Sequence, residues 1–146
     1  MTQLALIVGT TMGGAEAVAD ELAEKLQIHG IDTEIHLNPS LESLMGVQNW
    51  LIVTSTHGAG EIPDNLHPLA EALQTADLSG IHYAICGIGD SSYDTFCGAA
   101  KSLEDRMQQG GAKELVHKIE IDVQGLDLPE DKALLWIDTL IPILSN

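Results

Sequence analysis

Residues Leu4–Leu26 read LALIVGTTMGGAEAVADELAEKL: a strand, a glycine-rich loop and a helix in direct succession. Leu4 to Val8 is an unbroken apolar run, the pattern of a strand buried on both faces. Ala15, Val18, Ala19, Leu22, Ala23 and Leu26 then recur at helical spacing, with Glu16, Asp20, Glu21 and Glu24 on the other faces. Gly30 stands where such a helix ends. Between strand and helix lies Gly9-Thr10-Thr11-Met12-Gly13-Gly14-Ala15. A loop of this kind points unpaired N–H groups and the positive end of the helix dipole at one spot, and its glycines let a ligand come close. Two threonine hydroxyls add to the donors, so the loop suits a phosphate. It is not a nucleotide-triphosphate loop, which needs Lys and Ser or Thr where Ala15 and Glu16 stand. Nor is it a dinucleotide fingerprint, which needs glycine at Thr11.

The same alternation runs through the rest of the chain. Strands are expected at Thr33–Leu37, Trp50–Thr54, Tyr83–Ile88 and about His117–Val123. Helices are expected from Asn65 to Ala76, with Pro68 in the first turn, and from about Phe96 to Gly110-Gly111. A last helix should begin after Pro129-Glu130-Asp131 and kink or end near Leu140, because Pro142 interrupts its apolar pattern. Leu41 to Met45 reads as no more than a helical turn. There are no repeats or linkers, so residues 1–146 are expected to form one domain. Strands alternating with helices imply an α/β fold, a mostly parallel sheet covered on both faces, with the ligand at the carboxyl ends of the strands.

Composition narrows the function. Six Lys and Arg oppose 22 Asp and Glu, a formal net charge of -16. Such a field repels nucleic-acid backbones and anionic membranes, and favours a basic protein partner. No apolar run approaches the ~20 residues of a transmembrane helix. Met1-Thr2-Gln3-Leu4 lacks the basic region of a signal peptide. Cys86 and Cys97 make neither a disulfide framework nor a CxxC pair, and with His57, His67 and His82 they lack metal-ligand spacing. A cytoplasmic protein with reduced thiols is expected. Cys86 reads as a core thiol. Cys97 stands at a helix start, where a thiol pKa can fall, but its place in the loop favours packing.

Two more loops meet the same edge of the sheet. After the third strand comes Ser55-Thr56-His57-Gly58-Ala59-Gly60-Glu61-Ile62-Pro63-Asp64-Asn65, long for such a connection. After the fourth comes Gly89-Asp90-Ser91-Ser92-Tyr93-Asp94-Thr95-Phe96-Cys97. Trp50, Tyr83, Phe96 and Trp136 fall in or at the start of expected elements and read as packing. Tyr93 lies in a polar loop, where its ring can stack on a flat heterocycle; His57 is the other planar side chain.

Together these loops resemble the FMN-binding loops of the flavodoxin family. The resemblance is nearest to its short MioC-type members, through Gly13-Gly14-Ala15-Glu16, Ser55-Thr56-His57-Gly58-Ala59-Gly60 and Tyr93-Asp94-Thr95-Phe96-Cys97-Gly98. It covers nearly the whole chain. It implies a flavodoxin-like three-layer sandwich, with a five-stranded parallel sheet in the order 2-1-3-4-5 and helices on both faces. Thr10, Thr11, Met12, Gly13, Gly14 and Ala15 would hold the FMN phosphate. Ser55, Thr56, His57, Gly58, Ala59 and Gly60 would line one face of the isoalloxazine. Gly89, Asp90, Ser91, Ser92, Tyr93, Asp94, Phe96 and Cys97 would line the other, with Tyr93 stacked on it and Asp122 nearby. Many relatives carry threonine at the positions of Met12 and Gly14, and Tyr or Trp at that of His57. Two lost hydroxyl bonds would weaken binding roughly tenfold to a hundredfold, so partial isolation as apoprotein is expected.

The function implied is single-electron transfer from a basic-faced flavoprotein reductase to an acceptor redox enzyme, by a monomer. Rotation of a peptide near Gly58 would let its carbonyl accept a hydrogen bond from the reduced flavin. Glu61, Asp64, Asp90 and Asp94 are the expected docking charges. The rival readings are a stand-alone FMN-dependent reductase and a regulatory module that keeps FMN as a structural ligand. A response-regulator receiver needs acidic residues where Gly9-Thr10 and Thr54-Ser55 stand.

Overall fold

A computed structural model describes residues 3–11 and 13–145. Gln3–Gly9 forms β1, buried from Leu4 onward because it lies between two parallel neighbours. On one side is β2 (Asp32–His36), with Leu6 opposite Ile35. On the other is β3 (Asn49–Thr54), with Leu6 opposite Leu51 and Gly9 opposite Thr54. β4 (His82–Gly89) continues the sheet beyond β3. Alternate β1 residues serve two cores. Leu4, Leu6 and Val8 join one with α1 (Gly14–Ile28) and α5 (Pro129–Ser145). Ala5 and Ile7 join the other with α3 (His67–Leu73) and α4 (Gly98–Gln109). This is the expected order 2-1-3-4-5, with helices on both faces.

The fifth position departs from a single strand. It is shared by β5 (Lys113–Glu114), paired with His82–Tyr83, and β6 (Ile119–Asp122), paired with Cys86–Gly89. In the break Leu115 and Val116 pack against the α1/α5 core, and the Trp136 indole N–H donates to the His117 carbonyl at 3.0 Å. Lys118 Nζ reaches across to Glu104 on α4 at 2.9 Å. Burial and pairing toward both helical layers therefore draw the connecting residues off the ladder.

Three helix boundaries also differ. The expected Asn65–Ala76 helix is a 3-10 turn at Asp64–Leu66 followed by α3. α4 starts at Gly98, leaving Phe96 in the turn before it. α5 continues past Leu140 to Ser145: Pro142 costs one backbone hydrogen bond, and the burial of Leu140, Ile141 and Leu144 holds the last turn on the core in spite of it. Leu41–Leu44 (α2) is the expected single turn. No helix among the described residues is long and apolar enough to cross a membrane.

Candidate cofactor site

The loops after β1, β3 and β4 meet at the carboxyl edge of the sheet. Ser55 joins the first two: its N–H and hydroxyl both donate to the Gly9 carbonyl, at 2.9 and 3.2 Å. Gly9 has to be glycine here, since a Cβ would run into Thr54 and lie 2.7 Å from Leu66. Thr10 N–H donates to Asn65 Oδ1 at 3.0 Å, and Thr10 Oγ1 accepts from Gly13 N–H at 2.8 Å. Gly13 has φ +86° and precedes α1 with no side-chain cap, and nothing lies within 4 Å of a Cβ built on Gly13 or Gly14. Among the described residues, the N–H groups of Thr11, Gly14 and Ala15 have no partner. An uncapped 15-residue helix with open space before it fits a phosphate. Met12 lies outside the described residues.

The loop after β3 folds into a small hairpin. His57 and Glu61 exchange both backbone hydrogen bonds, at 2.8 and 2.7 Å, leaving Gly58-Ala59-Gly60 at the tip. Gly58 (φ +50°) and Gly60 (φ +95°) make that reversal possible without strain. Thr56 Oγ1 accepts from Ala99 N–H at 3.3 Å, so the hairpin's base caps the start of α4. A Cβ on Gly98 would lie 2.8 Å from Gly60 Cα, and one on Gly60 would lie 2.9 Å from Thr95. The hairpin and the β4 loop are therefore in close backbone contact.

The β4 loop is tied in turn to the segment after β6. Asp90 Oδ1 accepts from the N–H and hydroxyl of Ser92 at 2.9 and 2.6 Å, and its other oxygen accepts from Gln124 Nε2 at 3.0 Å. Asp122 Oδ1 accepts from the N–H groups of Ser91 and Gln124 at 3.1 and 3.0 Å. Ser92 first, then Gln124, holds the Asp90 carboxyl below its usual range; Ser91 first, then Gln124, does the same for Asp122. Cys97 ends the loop at φ 53°, the one non-glycine residue with positive φ among those described. Its side chain is buried, and burial pushes the thiol up to about 12, so it packs and does not ionise. Cys86, buried in β4, is likewise pushed up to about 12.

Between the hairpin and the β4 loop opens a cleft of about 150 Å³, lined by Thr56, Gly58, Asp90, Tyr93, Thr95, Phe96 and Cys97. Tyr93 is 60% exposed, with its ring free to take a planar partner. No group of three or more metal-ligating side chains comes together among the described residues.

The sequence pattern of the flavodoxin family matches residues 6–136. The chain belongs to the flavodoxin family. It is 47% identical over 147 residues to protein MioC of Escherichia coli, covering 99% of this chain and 100% of that one. A solved structure of a flavodoxin mutant from Pseudomonas aeruginosa superimposes with a TM-score of 0.91 at 31% identity, covering 99% of this chain and 100% of that one. The sulfite reductase flavoprotein alpha-component of Neisseria meningitidis is 34% identical over 92% of this chain, which corresponds to 22% of that longer protein. Flavodoxins bind FMN and transfer electrons to redox partners, so the cofactor and the broad function follow from membership.

Within this flavodoxin fold, Thr56, Gly58, Asp90, Tyr93, Phe96 and Cys97 of the expected site residues converge on the cleft. Gly89 backs it, since a Cβ there would lie 2.8 Å from the Cys97 nitrogen. His57, Ala59, Gly60, Ser91, Ser92 and Asp94 do not line the cleft, and Ser55 is occupied with Gly9. In the first loop Thr10 and Gly13 have committed their N–H groups internally, while those of Thr11, Gly14 and Ala15 have no partner among the described residues; Thr11 and Gly14 are exposed and the Ala15 side chain lies in the core. Sequence reasoning gave no site role to Asn65 or Gln124, whereas Thr95, within the segment 89–97 expected against the ring, lines the cleft. Asn65 and Gln124 act only through contacts between loops.

Proposed function

We propose that this flavodoxin seats FMN with its phosphate at the α1 N-terminus and its isoalloxazine in the cleft between Gly58 and Tyr93. It would carry single electrons from a flavoprotein reductase with a basic face to an acceptor redox enzyme. The observation that carries the reading is the meeting of an uncapped helix N-terminus and an exposed aromatic ring at one edge of the sheet. When bound, FMN supplies the one-electron chemistry. The chain's own part is to bind, to orient and to leave an edge accessible. Thr11, Gly14 and Ala15 donate N–H groups to the phosphate, Tyr93 stacks on the ring, and Thr56 fixes the hairpin base against α4. Gly58, at a hairpin tip where a built Cβ would meet only the Glu61 carboxylate at 3.7 Å, can turn its peptide at little cost.

The formal net charge of -16 suits a basic donor. Two buried free thiols fit a reducing compartment, in which we place it as a cytoplasmic monomer. The test is reconstitution with FMN followed by addition of NADPH. The holoprotein should stay oxidised with NADPH alone and be reduced once a flavoprotein reductase is supplied. Rapid reduction by NADPH alone would make it a reductase in its own right.

A further inference from the structure

Asn65 sits in the 3-10 turn Asp64–Leu66, yet its side chain bonds to three backbone groups, two at the end of β1 and one after β2. Nδ2 donates to the Val8 carbonyl at 2.6 Å and to the Leu37 carbonyl at 2.5 Å, while Oδ1 accepts the Thr10 N–H at 3.0 Å. Two partners can only accept and one can only donate, so the amide has a single orientation. Its next neighbour, Leu66, is fully buried and presses on the space beside Gly9. Thr10, whose peptide Asn65 fixes, accepts the Gly13 N–H at 2.8 Å. A continuous path thus runs from Asn65 through Thr10 to Gly13, the residue before α1.

We infer that Asn65 is the positioning residue of the phosphate loop. It occupies the Thr10 N–H and fixes the peptide after β1. The Thr11, Gly14 and Ala15 N–H groups are thereby aimed outward before any phosphate arrives. The inference rests on the reading above that FMN phosphate binds at this loop. Asparagine is the side chain the geometry requires. Aspartate cannot donate to two carbonyls, leucine can neither donate nor accept, and serine is too short to reach all three groups.

The experiment titrates apoprotein with FMN and, separately, with riboflavin, which has the ring but no phosphate, following quenching of flavin fluorescence. Wild type should bind FMN more tightly than riboflavin. Asn65→Ala should lower FMN affinity roughly tenfold, the loss of one to two hydrogen bonds' worth of organisation, and leave riboflavin within about twofold. Asn65→Asp should lower it further. Equal losses for both ligands would overturn the inference, because Asn65 would then serve the fold alone. A wild type without preference for FMN would overturn the phosphate-loop reading itself, and the role of Asn65 with it. Amide hydrogen exchange in wild-type apoprotein needs no variant. The Thr10 and Gly13 amides should already be protected, while Thr11, Gly14 and Ala15 gain protection only when FMN is added. A Thr10 amide that exchanges freely until FMN binds would equally refute the proposal.

Discussion

Replacing Gly13 by Asp separates the phosphate reading from every effect on folding. Gly13 has φ +86°, a conformation that aspartate and asparagine tolerate better than other side chains, and a Cβ there meets nothing within 4 Å. The apoprotein should therefore keep its fold, at a cost of about 1 kcal/mol for the left-handed conformation. FMN binding should be strongly weakened. A carboxylate at about 6 Å from a phosphate dianion costs about 1.4 kcal/mol at the dielectric of water and about 5.5 kcal/mol at an effective value of about 20. The site is a surface loop, so the true cost lies between these limits, a weakening from roughly tenfold to roughly ten-thousand-fold. Gly13→Asn is the control, because it has the same size and conformational preference without the charge. Fluorescence titration of both variants with FMN, beside a urea melt of both apoproteins, decides the matter. If the Asp and Asn variants bind FMN equally, the phosphate lies elsewhere and the uncapped start of α1 has another use.

Tyr93→Ala should weaken FMN binding tenfold or more, taking about 1–3 kcal/mol for a lost stacking ring, and shift both reduction potentials. His57→Ala should do less, since His57 lies outside the cleft lining; equal effects in a titration would remove the stacking role of Tyr93. The depressed carboxyls of Asp90 and Asp122 contribute fully above the unfolded value of about 3.9 and are lost as pH falls through their lowered folded values. The gap in thermal midpoint between wild type and Asp122→Asn should hold from about pH 5 to 8 and close below about pH 4. Lys118→Met should destabilise the protein by about 1–3 kcal/mol in urea, because it leaves the largely buried Glu104 without its cation, while Glu120 keeps only its contact with Lys101. A change under about 0.5 kcal/mol would make that pair an ordinary surface contact. Stopped-flow reduction by a basic-faced reductase should slow as salt rises from about 10 mM to about 500 mM; a rate indifferent to salt would leave the acidity as a solubility feature.

The elements of the fold that repeat a local pattern were legible in the sequence. Leu4–Val8, Trp50–Val53 and Tyr83–Ile88 are buried on both faces, and a strand in that position has to be apolar along its length. The glycines of the first and third loops were legible for a related reason, since Gly13, Gly58 and Gly60 take a backbone conformation few other residues can. What was not legible depends on residues far apart in the chain. Asn65 reads as the last polar residue of a loop; its three partners lie 55, 57 and 28 positions away. The split at the fifth strand comes from Trp136 and Glu104, which draw His117 and Lys118 off the ladder, and no pattern within 113–122 announces either contact. Cys97 holds a left-handed conformation with its thiol fully buried, a backbone state for which cysteine has no local preference and which no pattern in the sequence announces.

Contacts across loops also decide which acids are free to steer a partner. All four acids expected at the docking rim are carboxylates near the loops, and the sequence treats them alike. In the fold they divide. Asp90 is engaged by Ser92 and Gln124 and serves to brace the β4 loop, while Asp64 lies 3.7 Å from the His67 imidazole. Neutralising either would change loop geometry along with charge, and a salt series on such a variant would mix the two effects. Glu61 and Asp94 remain, on the hairpin and on the β4 loop, with neither carboxylate in a hydrogen bond or ion pair among the described residues. The rim beside them is not uniformly charged. The segment tied down through Asp122 and Gln124 carries Val123, Leu126 and Leu128, with Leu126 fully exposed. Charge acts over about a Debye length of 8–10 Å and governs encounter, whereas apolar contact acts only after water is expelled and governs residence. A surface with both should therefore respond to Glu61 and Asp94 in its association rate and to Leu126 in its dissociation rate, and the two contributions are separable because they sit on different loops.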